Sequence, residues 1–294
     1  MTGVDLPAGT RLRLPAPAKL NLLLHVIGRR ADGYHLLQTI FRFIDFGDEV
    51  SLQSRVDGHV VRTQGPPGVA PEQDLVVRAA KLLQQETGCT LGAELGVEKR
   101  IPMGGGLGGG SSDAATVLIG LNRLWNLGLA RHALQVLGAR LGADVPIFIF
   151  GQSAFAEGMG DILHPVAIRS AWYVVLTPPV QVPTAAIFTD SKLTRNSNPL
   201  KIPAFFAGQG RNDLEPVVRE RYAEVDQHLR WLSRFGNATM SGSGACVFCA
   251  FDTEAEAQGV LAALPDNMAG FVARGVDRHP LHGWLEQGTE FKES

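Results

Sequence analysis

The sequence predicts an α+β protein of two domains, residues 1–163 and 164–294, and three observations carry that expectation. The chain has 294 residues, 45% of them hydrophobic, enough for one large or two modest cores. Residues 93–124 read as a strand that passes through a glycine loop into a helix. Past Leu163 the pattern starts afresh, and its order of strands and helices suits an antiparallel sheet with helices covering one face.

The first element is a strand, Lys19-Leu20-Asn21-Leu22-Leu23-Leu24-His25-Val26. Leu20, Leu22, Leu24 and Val26 alternate onto one face, and Lys19, Asn21 and His25 onto the other. The polar face gathers a cation and an amide, residue types equally at home facing solvent. A turn at Asp32-Gly33 leads to Tyr34 and His35, which could stack on a base and bond its edge or simply close a hairpin. A second strand pattern covers 48–53, and the Gly- and Pro-rich stretch 62–71 reads as a loop. Asp74 is placed to N-cap a helix over 75–86, with Leu75, Ala79, Leu82 and Leu83 as its buried stripe and Gly88 just past its end. Ala93, Leu95 and Val97 then alternate with Glu94, Gly96 and Glu98 in a strand that delivers the chain into the glycines.

Between Gly104 and Gly110 only Leu107 interrupts the glycines, so the backbone is free of side chains that would block a ligand. Ser111 and Ser112 are good N-cap residues, and Ala114, Val117, Leu118, Leu121 and Leu124 recur at helical spacing. Loop amides and the positive end of a helix converge on one point, which suits a phosphate. Neither common nucleotide template fits. A GxxxxGK[ST] loop needs lysine where Gly110 stands, and a GxGxxG drawn through Gly104, Gly106 and Gly109 lacks the acidic residue expected about 20 positions on.

A helix near 131–141 precedes Gly142-Ala143-Asp144-Val145-Pro146. Asp144 reads either as an N-cap with proline in the first turn or as a carboxylate held in apolar surroundings. A strand and turn follow over 153–159. The second half offers strand WYVVLTPP, a helical turn at 183–188, a polar linker at 191–203, helices within 212–235 and a second glycine turn, Ser241-Gly242-Ser243-Gly244. Strand ACVFCAF, a helix over 254–264 and strand GFVARGV complete it.

Twenty-seven basic and 29 acidic side chains give a net charge of −2 and a pI near 6.4, no footprint for nucleic acid or an anionic membrane. The expected partner is a small molecule, and the chain is expected to be a monomer or a weak homodimer. No apolar run approaches the roughly 18 residues of a membrane span, and MTGVDLPAGTRLRLPAP lacks the apolar core of a secretory signal, so a cytoplasmic protein is expected. Cys89, Cys246 and Cys249 are too few for a disulfide framework. The C-x-x-C of Cys246 and Cys249 sits in a β-favouring run that points its two thiols to opposite faces, which favours core over metal.

Three separated segments then carry a resemblance. PAPAKLNLLLHVIGRRADGYH, KRIPMGGGLGGGSSDAA with GADVPIF, and TMSGSGACVF resemble, in order and spacing, the three signature motifs of the GHMP small-molecule kinases. The resemblance covers nearly the whole chain except roughly the first ten residues and the tail after Val276. It implies the two-domain GHMP kinase fold, with an N-terminal domain like ribosomal protein S5 domain 2 and a ferredoxin-like C-terminal domain. Within the superfamily, GRRADGYH and the doubled triple glycine resemble the kinases that act on a cytidyl diphosphate alcohol.

What the resemblance implies is transfer of phosphate from ATP to an alcohol, with Mg²⁺ carried on the ATP and no metal site of the protein's own. Asp144 would take the hydroxyl proton, with Lys19 beside it to keep the carboxylate ionised and steady the developing charge. Pro102, Met103, Gly104, Gly105, Gly106, Leu107, Gly108, Gly109, Gly110, Ser111 and Ser112 would wrap the ATP phosphates, with Lys99, Asp74 and Leu75 bordering the adenine. Asn21 would face the substrate near its diphosphate; Tyr34, His35 and Phe188 would hold the cytosine; Thr184 would also bind the substrate, and Gly242 and Ser243 would approach it from the other domain. Asp113, at the loop's end, could help hold Mg²⁺. Two other readings differ from this one. A kinase for a smaller alcohol such as mevalonate, homoserine or a sugar would not need aromatics at 34, 35 and 188, and a non-catalytic nucleotide-binding module would bind ATP without transferring phosphate.

Overall fold

The computed structural model describes residues 10–31 and 33–283; Asp32 of the expected turn and residues 1–9 of the N-terminal segment lie outside them. Two long antiparallel strands, β1 (Arg11–Arg29) and β2 (His35–Arg55), form the spine. The chain continues through β3 (Val60–Gln64), α1 (Leu75–Thr87), β4 (Gly92–Glu98), α2 (Gly109–Leu124), α3 (Arg131–Ala139), α4 (Val145–Phe150), β5 (Ala154–Glu157) and β6 (Ile162–Pro165). The rest comprises β7 (Trp172–Leu176), α5 (Thr184–Phe188), α6 (Ile202–Phe206), α7 (Glu215–Arg221), α8 (Ala223–Leu232), β8 (Thr239–Met240), β9 (Val247–Phe251), α9 (Glu254–Ala262) and β10 (Gly270–Val276).

The sheet runs β3-β4-β2-β10-β7-β9-β8, with β1 paired to β2 and the β5–β6 hairpin attached to β2. Among the described strands only β3 and β4 form a parallel ladder, joined by a crossover through α1, beside an isolated parallel bridge between Leu24 and Asn212. The stretch expected to be a loop from 62 therefore begins as strand, because Arg62 pairs with Leu95 through the backbone, which the local composition does not report. Strand β10 joins the halves by pairing with β7 along its length and with Phe43 and Ile44 of β2 at its end. One core lies between α1–α4 and the first sheet half, and another between α7–α9 and β7, β9. Cys246 and Cys249 fall in different hydrophobic clusters, and burial pushes their thiols up to about 12 and about 11, as core residues rather than ligands.

Two expectations change. Helix α2 starts at Gly109 with Gly108 as N-cap at φ 74°, ahead of Ser111 and Ser112. The Ser112 hydroxyl bonds Pro17 O at 2.7 Å instead, tying the helix to β1, and a glycine takes the left-handed cap position without strain. In β1 the register shifts between Asn21 and Leu23, a bulge that reverses the alternation. Leu24 thereby joins Lys19 and Asn21 on one face, and His25 leaves it for the other.

Helix α2 lies close on β1 and β2 at Gly120, where an added Cβ would stand 2.4 Å from Leu52 Cδ1 and 2.7 Å from Leu14 Cδ1. Alanine there gains about 1 kcal/mol of helix propensity but overpacks a tight seam, a cost of about 1–3 kcal/mol. Gly120→Ala is therefore expected to destabilise the fold by about 1 kcal/mol, measured as a lower urea midpoint; a raised midpoint would show that the seam relaxes freely.

Candidate functional site

Lys19 is 2% exposed, and a buried ammonium costs several kcal/mol unless each donor finds an acceptor. Its Nζ has three acceptors: Asn21 Oδ1 at 2.5 Å, Gly106 O at 3.0 Å and Asp144 Oδ2 at 3.3 Å. The Phe41 ring lies 5.5 Å away. The Asn21 amide is oriented in turn: Leu23 O accepts the Thr39 hydroxyl at 2.6 Å, so Thr39 Oγ1 accepts Asn21 Nδ2–H at 2.8 Å. Asn21 Oδ1 is thereby turned to the lysine. Asp144 does sit at the N-cap of α4, but its side chain makes no capping bond. The carboxylate faces Lys19 and remains 37% exposed, which leaves it open to a ligand.

The glycine loop is gripped from the other half of the molecule. Ala245 N–H donates to Gly104 O, Cys246 N–H to Gly105 O and Ser241 Oγ to Gly106 O, at 3.2, 3.1 and 3.0 Å. At Gly106, φ is 73° and a Cβ would lie 2.1 Å from Ser241 O, so only glycine lets the two glycine turns meet.

Two cavities open on either side of this loop, and Gly104, Gly106 and Ser111 line both. The first, about 300 Å³, is walled by Lys19, Asn21, Thr39, Phe41, Asp144, Thr184, Phe188, Gly242 and Ser243, with the Thr184 and Ser243 hydroxyls 2.7 Å apart. The second, about 370 Å³, is walled by Asp74, Leu75, Lys99 and the run from Pro102 through Ser111, with Met103 41% exposed at its lip. Ser112 is buried beneath and does not reach it. His35 packs beside Phe188, ring centroids 5.1 Å apart, and neither it nor Tyr34, which is 63% exposed, is among the residues that wall the cavity.

Sequence reasoning missed several contributors. Asp48 carries an ion pair to Lys99, which also reaches Asp113 at 2.8 Å, and Asp48 Oδ1 accepts the amides of Arg100 and Ile101 at 2.5 and 2.8 Å. These bonds pin both ends of the glycine loop, since Asp113 lies in the first turns of α2. Asp74 caps Val76 N at 3.1 Å and pairs with Arg62 at 2.6 Å. Thr39 and Asp48 stand in ordinary strand contexts, and only long-range pairing brings them here. Burial, with the Asp48 charge, pushes Asp113 up to about 7 against the pull of Lys99, and its Oδ1 is buried without a hydrogen-bond partner. Burial opposes the Lys99 charge, but Asp113 and Asp48 outweigh it, so Lys99 holds its proton more tightly than a free lysine.

The residues fit a nucleotide: a cradle in which a Cβ at Gly105, Gly106, Gly108 or Gly109 would lie within 3.0 Å of protein atoms, the first turn of α2 in its wall, and beside it the Asp113 carboxyl, a group of the type that binds a hard cation. Among the described residues no group of three His, Cys, Asp or Glu side chains could hold a metal by itself, and no helix is long and apolar enough to cross a membrane.

Residues 74–152 match the family described as GHMP kinases N terminal domain, and residues 195–270 match GHMP kinases C terminal. The 4-diphosphocytidyl-2-C-methyl-D-erythritol kinase of Thiobacillus denitrificans is 62% identical over 93% of this chain and 98% of that protein. The same-named protein of Nitrosospira multiformis is 56% identical over 98% and 99%. A crystal structure of 4-(cytidine 5'-diphospho)-2C-methyl-D-erythritol kinase superposes with a TM-score of 0.78 at 32% identity, covering 90% of this chain and 99% of that one. A homoserine kinase from Cytophaga hutchinsonii, at 16% identity and a TM-score of 0.68 over 95% and 98%, shares the fold.

Gly106→Ala is expected to force the two glycine turns apart and to raise KM for nucleotide and acceptor together, because the loop walls both cavities; unchanged KM values would show that the contact is not needed. Asp113 gives a pH signature. Between its unfolded value near 3.8 and its folded value near 7, the folded state holds a proton that the unfolded state has lost, so stability falls as pH rises through that window. Urea unfolding of the wild type and Asp113→Asn at pH 5 and pH 8 should show the variant gaining on the wild type at the higher pH.

Proposed function

The chain belongs to the 4-diphosphocytidyl-2-C-methyl-D-erythritol kinases of the GHMP kinase superfamily, ATP-dependent phosphotransferases, and from that premise we propose how its residues divide the reaction. The substrate is the cytidyl diphosphate alcohol that names its relatives, and the phosphoryl group goes to the 2-hydroxyl, in isoprenoid precursor synthesis by the non-mevalonate route. The observation that carries the reading is the placement of Lys19 Nζ 3.3 Å from Asp144 Oδ2 in the wall of the acceptor cavity and 3.0 Å from the carbonyl of Gly106, which lines both cavities.

In this reading Asp144 Oδ accepts the hydroxyl proton as the acceptor oxygen attacks the γ-phosphorus, and the β–γ bridging oxygen leaves on ADP. Lys19 steadies the attacking oxygen and the transferring group, and its three acceptors hold it there without reorganisation. Amides of residues 104–111 hold the phosphates, and Lys99, Asp74 and Leu75 border the adenine. Mg²⁺, when bound with ATP, neutralises phosphate charge; Asp113 is the residue to help hold it. Nucleotide is bound within 1–163, and the acceptor cavity is shared with Thr184, Phe188, Gly242 and Ser243 of 164–294. Phe188 stacks on the cytosine, the edge of the His35 ring packed beside it bonds the base, and Tyr34, outside the cavity wall in this structure, would stack when substrate is bound.

A coupled ADP-release assay with ATP and the diphosphocytidyl alcohol, run against mevalonate, tests the substrate. Activity on mevalonate alone would overturn it. Asp144→Asn, nearly isosteric, is expected to lower kcat by about 10³-fold or more while ATP binding by calorimetry persists. Substantial residual turnover would remove Asp144 as the base.

A further inference from the structure

Arg195, in the polar linker after α5, is 160 positions from His35 in the chain and touches it in the fold. Its Nε–H lies 3.2 Å from His35 Nε2. The same guanidinium donates Nη1–H to Leu193 O at 3.1 Å, and Nη2–H to Phe188 O at 2.9 Å and to Asp190 O at 2.6 Å. Three carbonyls of the turn that follows α5 therefore fix its plane, and one of them belongs to the residue whose ring packs on His35.

We propose that Arg195 is a positioning residue for substrate selection: by donating to His35 Nε2 it fixes the imidazole proton on Nδ1, giving the base pocket a donor that matches N3 of cytosine and rejects the N3–H of uracil. The proposal rests on the reading that the substrate carries a cytosine. A guanidinium has five N–H donors and no acceptor, so a contact with it requires a lone pair on the imidazole nitrogen. In a neutral imidazole the other nitrogen then carries the proton. Free histidine in water favours the opposite tautomer, with the proton on Nε2, so the arginine inverts the intrinsic preference. Protonation of the ring would set N–H against N–H.

The surroundings agree. Burial, then the Arg195 charge, then that of Arg29 at the end of β1, push His35 below its usual 6.5, so it is neutral near pH 7. The Phe188 ring, which packs against His35, carries no charge. Cytosine and uracil share the O2 acceptor and differ at N3 and at position 4, where cytosine offers an acceptor and an amine, and uracil an N–H and a carbonyl. A site that commits a donor to N3 leaves two donors opposed when uracil enters, the mismatch that gives polar pockets their discrimination.

Enzyme labelled with ¹⁵N in its histidines reports the tautomer directly in a two-bond ¹H–¹⁵N correlation spectrum. The wild type should show His35 protonated on Nδ1, and Arg195→Met should move the proton to Nε2. In the same variant the ratio of kcat/KM for the cytidyl alcohol over its uridyl counterpart should fall about tenfold or more, mainly through KM. In a His35→Asn background an amide N–H replaces the Nδ1–H whatever stands at 195, so Arg195→Met should there cause no further loss of selectivity.

An Nε2–H tautomer in the wild type overturns the proposal without need of a variant, so misfolding of Arg195→Met would not shield it. Unchanged selectivity in Arg195→Met also overturns it. So does an equal loss in the His35→Asn background, which would assign Arg195 to holding the backbone of 188–193 instead. A wild type that phosphorylates neither alcohol overturns the substrate reading, and the tautomer spectrum still decides the role of Arg195.

Discussion

A buried ammonium with three acceptors from three parts of the chain is the constraint around which this structure closes. Asn21 comes from β1 with Lys19 itself, Gly106 from the glycine loop and Asp144 from the start of α4, and a cation 2% exposed is tolerable only while all three acceptors stay in place. The loop therefore cannot drift from the strand, and α4 cannot withdraw its carboxylate. The same bonds that meet the desolvation cost of the charge also hold it in the wall of the first cavity, against the glycine that lines both.

The loop itself is tied at both ends. Asp48 accepts the amides that open it, Lys99 spans from Asp48 to Asp113 beyond it, and Ser241 and the backbone of residues 245–246 hold its middle. A run so rich in glycine would otherwise lose much conformational entropy on ordering. Its flexibility in sequence and its rigidity in structure are compatible because the restraint comes from outside the run. Glycine serves here for close approach: at Gly106 the opposing carbonyl stands where a side chain would begin.

Much of the fold was legible because hydrophobic alternation and helix caps are local. The Asp74 cap, the helix that ends at Gly88 and the strand of residues 93–97 all stand where the pattern puts them. The opening of α2 was misplaced by the serines because Ser112 makes a tertiary bond to Pro17 rather than a cap. The alternation around Lys19 failed at the bulge after Asn21, since a bulge is set by pairing with β2 and leaves no mark in composition. Tyr34 reads in sequence as a wall of the base pocket, yet it stands mostly exposed and outside the cavity lining while His35 packs on Phe188.

By itself the sequence determined the chemistry on offer: a phosphate cradle lacking a loop lysine, a strand lysine beside an amide, and a carboxylate ahead of a helix-starting proline. Residue identity and local period are enough for that, and they carried the resemblance to a kinase family. Only the tertiary structure decided which of these groups meet. It turned Asp144 away from capping and toward Lys19, brought Asp48 under the loop and set Arg195 against His35. Those contacts join residues 125, 51 and 160 positions apart, and no local pattern encodes a distance that only the folded chain makes short.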